Sequence, residues 1–381
     1  MVNSLCRTRI RLDNLLHNLD LLLSSGKPLM PVIKADAYGH GLLAVAVTLA
    51  SQDIDHFAVG AVSEGVELRR AGIRGTVLAL LGFSPLAADT PNLSPTLPSM
   101  DEDIRAALTH EITPLIHDWA TLERLSELTR DWQKHSVSIA IKCDTGMARL
   151  GFSPKDIPLV LDKLAVAPQL RPDLFVSHLA VADDPDQDAF THEQADIFRD
   201  AARGLRHFFP EIRLSLGNSA CLLAFPELAG DLPRPGFALY GGNPFYGTRR
   251  DVLGIGLAPV MEVFAPVLEV HPLRAGQSLG YGRTFVADHD MTVAVVGIGY
   301  ADGYRRTSGA QMSLNGMRAP VIGRVAMQMT CLDVTDMPEV HPGDPAYVLG
   351  GESRPVRADE LASWWGTIPY EVTCLLGHIQ R

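Results

Sequence analysis

The chain lacks any close pair of cysteines. It has five, separated by long stretches and without a CxxC spacing: Cys6, Cys143, Cys221, Cys331 and Cys374. This spacing excludes a zinc ribbon and a disulfide framework, and we predict no metal site and a reducing compartment. The N-terminus has no apolar core of signal-peptide length, and no apolar run approaches a membrane span. We therefore expect a cytoplasmic protein that does not bind membranes.

Basic residues are also in deficit. The chain has 33 Lys and Arg against 44 Asp and Glu, for a net charge of −11. Broad binding to nucleic acid or to anionic membranes needs a basic face, so both are excluded as the main function. A small anionic ligand held by a few local arginines is still compatible with this balance. The 381 residues are enough for one large barrel plus an appended domain.

Short apolar runs alternate with amphipathic stretches over the first two-thirds of the chain. Strands are predicted at Leu29–Ile33, Phe57–Val62, Val77–Leu81, Pro114–Ile116, Val137–Ile141, Leu174–Ser177, Arg213–Leu216 and Phe237–Tyr240. Helices are predicted at Leu12–Leu23, Leu42–Ala50, Glu64–Ala71, Asp103–Leu108, Trp119–Thr129, Ile157–Leu164, Glu193–Phe208 and Ala220–Leu228. Eight alternating units are typical of an α/β fold with a TIM-type (β/α)₈ barrel, which we predict over residues 1–245.

The pattern changes after residue 244. Strand-like runs follow, separated by turns, at Val260–Val270, Met291–Ile298, Ala319–Val325 and Pro345–Leu349. They predict a mostly β C-terminal domain over residues 246–381. Pairing of the first ~8 residues with this β domain is left open, because boundaries derived from sequence shift by several residues.

Lys34 ends the apolar run of the segment PVIKADAYGHG. A lysine buried at a strand end has a lowered pKa, and its neutral amine attacks carbonyls to form a Schiff base. The alternative is a lysine whose stem lies along apolar surface while its ammonium reaches water.

Other polar residues follow the predicted strands. They are Lys142 and Arg149 after the fifth, His178 at the end of the sixth, Asn218 and Ser219 after the seventh, and Arg234 just before the eighth. Catalytic groups of such barrels lie at the C-terminal ends of the strands, so most of these side chains should share one rim with Lys34.

Ser219 lies in a loop position that often binds phosphate in this fold, just before a predicted helix. The alternative is that Ser219 is only the N-cap of that helix. A Schiff-base lysine, a phosphate cradle, a histidine and two arginines together fit pyridoxal 5′-phosphate (PLP).

Seven segments resemble the signature segments of the alanine racemases, which are fold-type III PLP enzymes. They are PVIKADAYGHG, KCDTGMARLGF, VSHLAVADD, NSACLLAFP, RPGFALYG, GIGYADGYRR and TIPYEV, and they occur in family order. The resemblance implies a barrel followed by a β domain, and a head-to-tail homodimer whose active sites combine residues of both subunits. It implies racemisation of L-alanine to D-alanine, which supplies D-alanine for peptidoglycan.

The resemblance also implies two catalytic bases. Lys34 resembles the lysine that carries the cofactor and acts on one face of the substrate. Tyr300 resembles the opposite-face base, which comes from the partner subunit. Bases on both faces allow the α-proton to leave one side and return to the other. From local pattern alone, Tyr300 could instead be a packed core tyrosine.

The remaining roles are implied in the same way. The cofactor-binding residues would be Lys34, Tyr38, His178, Asn218, Ser219, Arg234, Gly236, Phe237 and Tyr370. Arg234 would face the pyridine nitrogen, and His178 would lie beside the ring and contact Arg234, although His178 could also be a structural histidine. Arg149 and the backbone N–H of Met327 resemble the contacts to the substrate carboxylate. Lys142 resembles a lysine often found carbamylated, which would give Arg149 an anionic partner.

The chain departs from the family pattern at Gln328. The family usually has Ser-Met-Asp or Cys-Met-Asp where this chain has Ala326-Met327-Gln328. A racemase of broader or shifted specificity, such as serine, is therefore an alternative. A basic amino-acid decarboxylase of the same fold type is disfavoured by Arg234, because those enzymes generally place a glutamate at the pyridine nitrogen. A non-catalytic PLP-binding protein resembles the barrel alone, so Tyr300 and the β domain argue against it.

Overall fold

A parallel sheet forms the first part of the structure. The computed structural model describes residues 5–85, 98–130, 136–307 and 309–379. Strand β1 (Arg7–Ile10) belongs to the C-terminal sheet, and six parallel strands follow in chain order. They are β2 (His56–Val59), β3 (Thr76–Ala79), β4 (Thr113–Ile116), β5 (Val137–Lys142), β6 (Leu170–Val176) and β7 (Arg213–Ser215). The predicted α/β barrel is confirmed by this sheet together with its covering helices.

Helices lie between the parallel strands. They are α1 (Leu12–Leu23), α2 (Leu42–Ala50), α3 (Val62–Arg70), α4 (Met100–Thr109), α5 (Trp119–Thr129), α6 (Ile157–Ala165), α7 (Asp188–Phe208) and α8 (Ser219–Ala224). The ranges of α1, α2 and α5 are those that their apolar periodicity predicts. Asp118 caps α5 by accepting from the backbone N–H of Thr121 at 2.8 Å, which explains the sharp start of that helix. None of the helices in the described ranges is long and apolar enough to cross a membrane.

Two irregular segments close the barrel. The predicted first strand makes a single bridge, between Val32 and Ala58, and its Met30 and Val32 N–H groups donate to the carbonyls of Pro233 and Pro235 at 2.9 and 2.8 Å. The segment that pairs with the predicted first strand and completes the barrel is therefore residues 231–235. The prediction of an eighth strand at Phe237–Tyr240 is wrong, because these residues form a 3₁₀ helix. The two prolines lack N–H donors and prevent a regular ladder on that side.

Side chains fill the barrel interior. Each segment around the barrel except β7 contributes at least one buried residue to a single cluster: Met30, Val32, Ala58, Leu78, Leu115, Ala140, Leu174, Val176 and Leu232. The interior is thus a packed core rather than a pore, and the chemistry has to occur at its rim.

The C-terminal part is an antiparallel sheet that carries two helices. Its strands are β8 (Met261–Leu273), β9 (Ser278–Leu279), β10 (Phe285–Val286), β11 (Met291–Val296), β12 (Gln311–Leu314), β13 (Met317–Ile322), β14 (Thr330–Asp333) and β15 (Pro345–Leu349). Helices α9 (Ala358–Trp365) and α10 (Pro369–Gly377) follow. Six of these strands and β1 form one sheet in the order β1-β8-β11-β14-β13-β12-β15, in which β8 also pairs with β15, and β9 pairs with β10. Strand β1 joins this sheet through Arg7 opposite Phe264.

Candidate active site

Lys34 begins a left-handed turn. The four residues that follow, Ala35, Asp36, Ala37 and Tyr38, all have φ between +53° and +54°. None of them is glycine, and each non-glycine residue in this region costs about 1–2 kcal/mol. Such strain persists only where the surrounding structure enforces it, and it is concentrated at functional sites. The turn is therefore the first structural indication that Lys34 has a function.

Two carboxylates, Asp36 of the turn itself and Glu64 of α3, fix the turn. Asp36 Oδ1 accepts from the backbone N–H of Leu42 at 2.7 Å, which ties the turn to the start of α2. Glu64 accepts from the N–H of Gly60 at 2.7 Å and from the N–H of Asp36 at 3.4 Å. These bonds tie the turn to the start of α2 and to Glu64 of α3, so elements outside the turn fix its conformation.

Helix α10 holds the turn from outside. A Cβ atom added to Gly377 would lie 2.3 Å from Cα of Gly39, and one added to Gly39 would lie 2.6 Å from the carbonyl oxygen of Thr373. Only two glycines allow backbones to approach this closely. The contact brings Tyr370, at the start of α10, to the Lys34 rim.

Two hydroxyls and two backbone N–H groups converge beside the turn. Ser219 Oγ accepts from the N–H groups of Gly236 and Ala238 at 3.0 and 3.1 Å. The Tyr38 hydroxyl lies over Gly236, where an added Cβ would be 2.6 Å away from it. The hydroxyls of Ser219 and Tyr38 and the N–H groups of Gly236 and Ala238 together form a cradle of hydrogen-bond donors. Residue 236 has to be glycine, because a side chain there would fill the cradle. Ala238 is a member that the sequence did not indicate.

Aromatic rings line the cradle. Tyr370 stacks on Phe237 with ring centroids 4.1 Å apart, and Tyr38 lies 6.2 Å from Tyr370 and 5.1 Å from Tyr240. Burial raises the pKa of both Tyr38 and Tyr370. Both hydroxyls therefore stay protonated at neutral pH and can donate to an anion.

Asn218 caps helix α8. Its side-chain oxygen accepts from the backbone N–H of Cys221 at 3.0 Å. The alternative that Ser219 is the N-cap is therefore wrong, because its neighbour fills that position and Ser219 faces the cradle. This cap fixes the backbone that carries Ser219, and the predicted contact of Asn218 with the cofactor stays a prediction.

Arg234 is a buried cation, 4% exposed. Nη1 donates to the carbonyl and hydroxyl oxygens of Ser215, both at 2.7 Å, and Nη2 donates to the carbonyl of Ser177 at 2.6 Å. Nη2 also lies 3.3 Å from His178 Nδ1. No carboxylate pairs with Arg234 in the described part of the chain. Burial lowers the pKa of Arg234 to about 10, so the guanidinium is still charged at neutral pH.

His178 is neutral for two reasons. Burial lowers its pKa well below the usual value, and the charges of Arg234 and Lys142 lower it further. Since Arg234 can only donate, Nδ1 of His178 has to accept the hydrogen bond. His178 thus extends the Arg234 network toward the rim.

Two lysine amines at the rim have lowered pKa values. Burial lowers the pKa of Lys34, and the charges of Arg149 and Arg234 add to this effect. The pKa of Lys142 is lowered to about 7. Burial is the largest cause, and the charges of Arg234 and Arg149 contribute further. The lowered pKa values of Lys34 and Lys142 are both consistent with the prediction of such a lysine at this rim. A neutral amine is the form that reacts with a carbonyl or with CO₂.

The loop that carries Arg149 is ordered by a carboxylate. Asp144 Oδ1 accepts from the backbone N–H groups of Gly146, Met147 and Ala148 at 3.0, 2.9 and 3.1 Å. Arg149 follows on the exposed side of this loop. It forms no ion pair with any residue that the structure describes, so it can bind an anion that approaches from solvent.

Tyr300 and Met327 lie together on the C-terminal part. The N–H of Tyr300 donates to the carbonyl of Ala326 at 3.1 Å, and the N–H of Ala301 donates to the carbonyl of Met327 at 2.9 Å. Tyr300 is 48% exposed and Met327 is 57% exposed. The alternative of a packed core tyrosine is therefore wrong. No hydrogen bond or ring contact joins Tyr300 to Lys34 within the described ranges.

No group of three or more metal-ligating side chains is found in the part of the chain that the structure describes. The chemistry of the rim is instead that of amines, guanidinium groups, hydroxyls and backbone donors.

Family models match both parts of the chain. The model described as "Alanine racemase, N-terminal domain" matches residues 10–244, and the model described as "Alanine racemase, C-terminal domain" matches residues 260–381. An alanine racemase of Nitratidesulfovibrio vulgaris is 49% identical over 371 residues, which cover 97% of this chain and 95% of the relative.

Solved structures have the same architecture. The alanine racemase of E. faecalis superposes with a TM-score of 0.86 at 25% identity, covering 100% of this chain and 98% of the other. The alanine racemase of Bartonella henselae, solved with covalently bound pyridoxal phosphate, has a TM-score of 0.84 at 25% identity, covering 99% and 98%.

Proposed function

The chain belongs to the alanine racemase family, and we propose that the rim around Lys34 uses PLP to interconvert L-alanine and D-alanine, which supplies D-alanine for peptidoglycan. The observation that carries this proposal is the placement of a lysine with a lowered pKa beside a cradle of donors. A relative with covalently bound pyridoxal phosphate supports the cofactor.

The cradle fits the phosphate of PLP. An anion of this size needs several converging donors, and the hydroxyls of Ser219, Tyr38 and Tyr370 with the N–H groups of Gly236 and Ala238 can supply them. In that state Ser219 would turn its hydroxyl from accepting to donating. Bound PLP supplies an electron-withdrawing ring that acidifies the α-proton of the attached amino acid.

Arg234 would face the ring nitrogen of the cofactor. Its guanidinium carries a fixed charge and only donates hydrogen bonds, so it disfavours a proton on that nitrogen. Its bonds to Ser215 and Ser177 hold it in this orientation. A decarboxylase of the same fold type would need a carboxylate at this position, and the buried arginine argues against it.

Lys34 and Tyr300 are proposed as the two bases. The amine of Lys34, when unprotonated, can take a proton at Nζ on one face of the substrate, and the hydroxyl of Tyr300 can deliver one from Oη on the other face. Arg149 would bind the substrate carboxylate, and the backbone N–H of Met327 would assist. These roles are supported by the exposure of the side chains of Arg149, Tyr300 and Met327.

We propose a homodimer in which Tyr300 and Met327 complete the site of the other subunit. Two observations support this arrangement. Tyr300 has no contact with its own Lys34 in the described residues, and it lies on a surface that also exposes Met327 and Met329. Exposed apolar side chains near a functional residue are typical of an interface.

The domain limits and the location are also proposals. Residues 1–245 would form the barrel domain and residues 246–381 the β domain, with β1 contributing to the sheet of the second. The limits of the two family models support a boundary between residues 244 and 260. A cytoplasmic location is supported by the free thiols of Cys143, Cys221, Cys331 and Cys374.

A chiral assay tests the activity and the substrate together. With L-alanine and added PLP we expect D-alanine to accumulate until both enantiomers are equal, and with L-serine we expect a slower reaction. A faster reaction with L-serine would favour the alternative of shifted specificity, for which exposed Gln328 beside Met327 is the motivating residue. Cofactor absorbance without any α-proton exchange in D₂O would instead indicate a non-catalytic PLP-binding protein.

Replacement of Gly236 by alanine should weaken cofactor binding. The new Cβ would lie 2.6 Å from the Tyr38 hydroxyl and would displace it from the cradle. We expect the apparent Kd for PLP to rise at least ~10-fold, as for the loss of one charge-assisted hydrogen bond. The measurement is a titration of the apoenzyme followed by cofactor absorbance. Gly204→Ala is the matched control, because its Cβ meets only a Leu161 methyl at 3.8 Å. Equal Kd values for both variants would contradict the proposed phosphate cradle.

Lys142 should form a carbamate with CO₂. A pKa of about 7 leaves much of the amine neutral at physiological pH, which is the form that CO₂ requires. The product would give Arg149 an anionic partner. With ¹³C-bicarbonate we expect one carbamate resonance in the NMR spectrum that Lys142→Met lacks. The resonance should weaken as pH falls below about 7, because the amine becomes protonated. Identical spectra of the two proteins would refute the carbamate.

A further inference from the structure

An ion pair joins the two elements that carry Tyr300 and Tyr370. Arg305 lies five residues after Tyr300, and Glu371 is the neighbour of Tyr370 in α10. Nη2 of Arg305 donates to Oε1 of Glu371, and Oε2 of Glu371 accepts from the hydroxyl of Thr367. Both oxygens of the carboxylate are thereby used, so Glu371 has a fixed orientation toward Arg305.

Two further hydrogen bonds attach the segment after Tyr300, residues 301–307, to the end of α9. Arg305 Nη1 donates to the carbonyl of Trp365 at 3.5 Å, and Thr307 Oγ1 donates to the carbonyl of Trp364 at 2.6 Å. The last carbonyls of a helix have no partner within the helix, so they are natural acceptors for a neighbouring side chain. The segment after Tyr300 is therefore attached at three points to the corner between α9 and α10.

The turn between Tyr300 and Arg305 is itself rigid. Asp302 Oδ2 accepts from the N–H of Gly299 at 3.0 Å, and the N–H of Tyr304 donates to the carbonyl of Gly299 at 3.2 Å. The ring of Tyr304 is fully buried and meets the ring of Trp365 edge-on at 5.5 Å. A displacement of Arg305 would therefore be transmitted to Tyr300 rather than absorbed between them.

Under the proposed dimer, Tyr370 and Tyr300 serve different active sites. Tyr370 stacks on Phe237 of its own barrel at 4.1 Å, whereas Tyr300 makes no contact with its own Lys34 in the described ranges. Under the proposed function, Tyr370 contacts the cofactor of its own subunit and Tyr300 acts in the site of the partner subunit. The bonds of Arg305 would then connect one site to the other.

We propose that Arg305, through its ion pair with Glu371, is a positioning residue for Tyr300. It fixes the hydroxyl of Tyr300 relative to α10, the helix whose Tyr370 contacts the cofactor of its own subunit while Tyr300 acts in the site of the partner subunit. This proposal rests on the proposed function. The two side chains are 36% and 41% exposed. Exposed pairs contribute little to stability, so a variant should fold and the effect of the pair should be on geometry.

The test uses the holoenzyme in D₂O and follows racemisation and α-deuterium incorporation for each alanine enantiomer. In Arg305→Met we expect racemisation to fall at least ~10-fold, because small misplacements of a catalytic group have large effects on rate. Lys34 is unchanged in this variant. The enantiomer whose α-proton faces Lys34 should therefore still incorporate deuterium while its inversion is slowed, and cofactor absorbance should stay that of wild type.

Matched variants isolate the pair. Glu371→Gln should reproduce the loss, and the double variant should be no slower than either single variant, since all three break the same interaction. Arg306→Met removes the same charge at the exposed neighbouring position and should behave as wild type.

Three outcomes would overturn the proposal. The first is racemisation by Arg305→Met at the rate of Arg306→Met. The second is a parallel loss of exchange for both enantiomers, which indicates general damage. The third is additive losses in the double variant. A wild-type enzyme without racemisation would contradict the proposed function itself, whereas the other results leave that function intact.

Discussion

Replacement of Lys34 by alanine is expected to abolish racemisation. The change removes the amine that would hold the cofactor covalently and also the base on one face of the substrate. Both losses act on the same step, so the rate should fall by at least ~10⁴-fold even at saturating PLP. The measurement is D-alanine formation from L-alanine by chiral chromatography, with deuterium incorporation into both enantiomers measured in parallel.

The surroundings of Lys34 explain why the loss should be so large. Its pKa is lowered by burial and by the charges of Arg149 and Arg234, and the strained turn after it is held by Asp36 and Glu64. Lys163→Ala is the matched control, because Lys163 lies in the last turn of α6, where it pairs with Glu123 of α5 at 2.8 Å. Exchange of either enantiomer by Lys34→Ala at more than trace rates would contradict the role of Lys34.

Replacement of Tyr300 by phenylalanine is expected to separate exchange from racemisation. The variant keeps the ring and loses only the hydroxyl that would act on the second face. Racemisation should fall by roughly 10²–10⁴-fold, the usual contribution of a general acid or base. Deuterium should still enter the enantiomer whose α-proton faces Lys34, and the other enantiomer should neither exchange nor invert. Proton NMR in D₂O measures both quantities in one experiment.

Tyr281→Phe provides the control for Tyr300→Phe. Tyr281 is 68% exposed on the same C-terminal part, and the change removes the same hydroxyl group. We expect wild-type rates from it. If Tyr300→Phe racemises normally, or if it loses exchange of both enantiomers as Lys34→Ala does, the assignment of Tyr300 to the second face is wrong.

The barrel could be predicted because its signals are local. Apolar periodicity depends on neighbouring residues, and α1, α2 and α5 have the predicted ranges. The eighth strand could not be placed in this way. Phe237–Tyr240 is apolar and reads as a strand, but the preceding segment with Pro233 and Pro235 closes the barrel and the apolar run coils into a 3₁₀ helix.

The left-handed turn after Lys34 gives no signal in the sequence. Ala35, Asp36, Ala37 and Tyr38 all prefer other conformations, and the energy that holds them comes from distant groups such as Glu64 and Gly377. Local pattern can identify a lysine at the end of a strand, but it cannot show how the chain leaves it.

The polar contacts of the site depend on tertiary structure. The resemblance indicated Gly236 and Ser219, but Ala238 joins them only because the 3₁₀ helix presents its N–H to the same oxygen. Arg305 and Glu371 are 66 residues apart, and nothing in their neighbours suggests that they pair. The lowered pKa of Lys142 likewise depends on burial and on arginines from other loops.

Mixed dimers test the central claim, which is that Lys34 and Tyr300 of different subunits form one site. Lys34→Ala and Tyr300→Phe chains with different tags can be co-expressed and the mixed dimer isolated by both tags. One of its two sites then has both native residues, so we predict about half the activity of wild-type dimers, although each parent is nearly inactive. A mixed dimer no more active than its parents would contradict a shared active site.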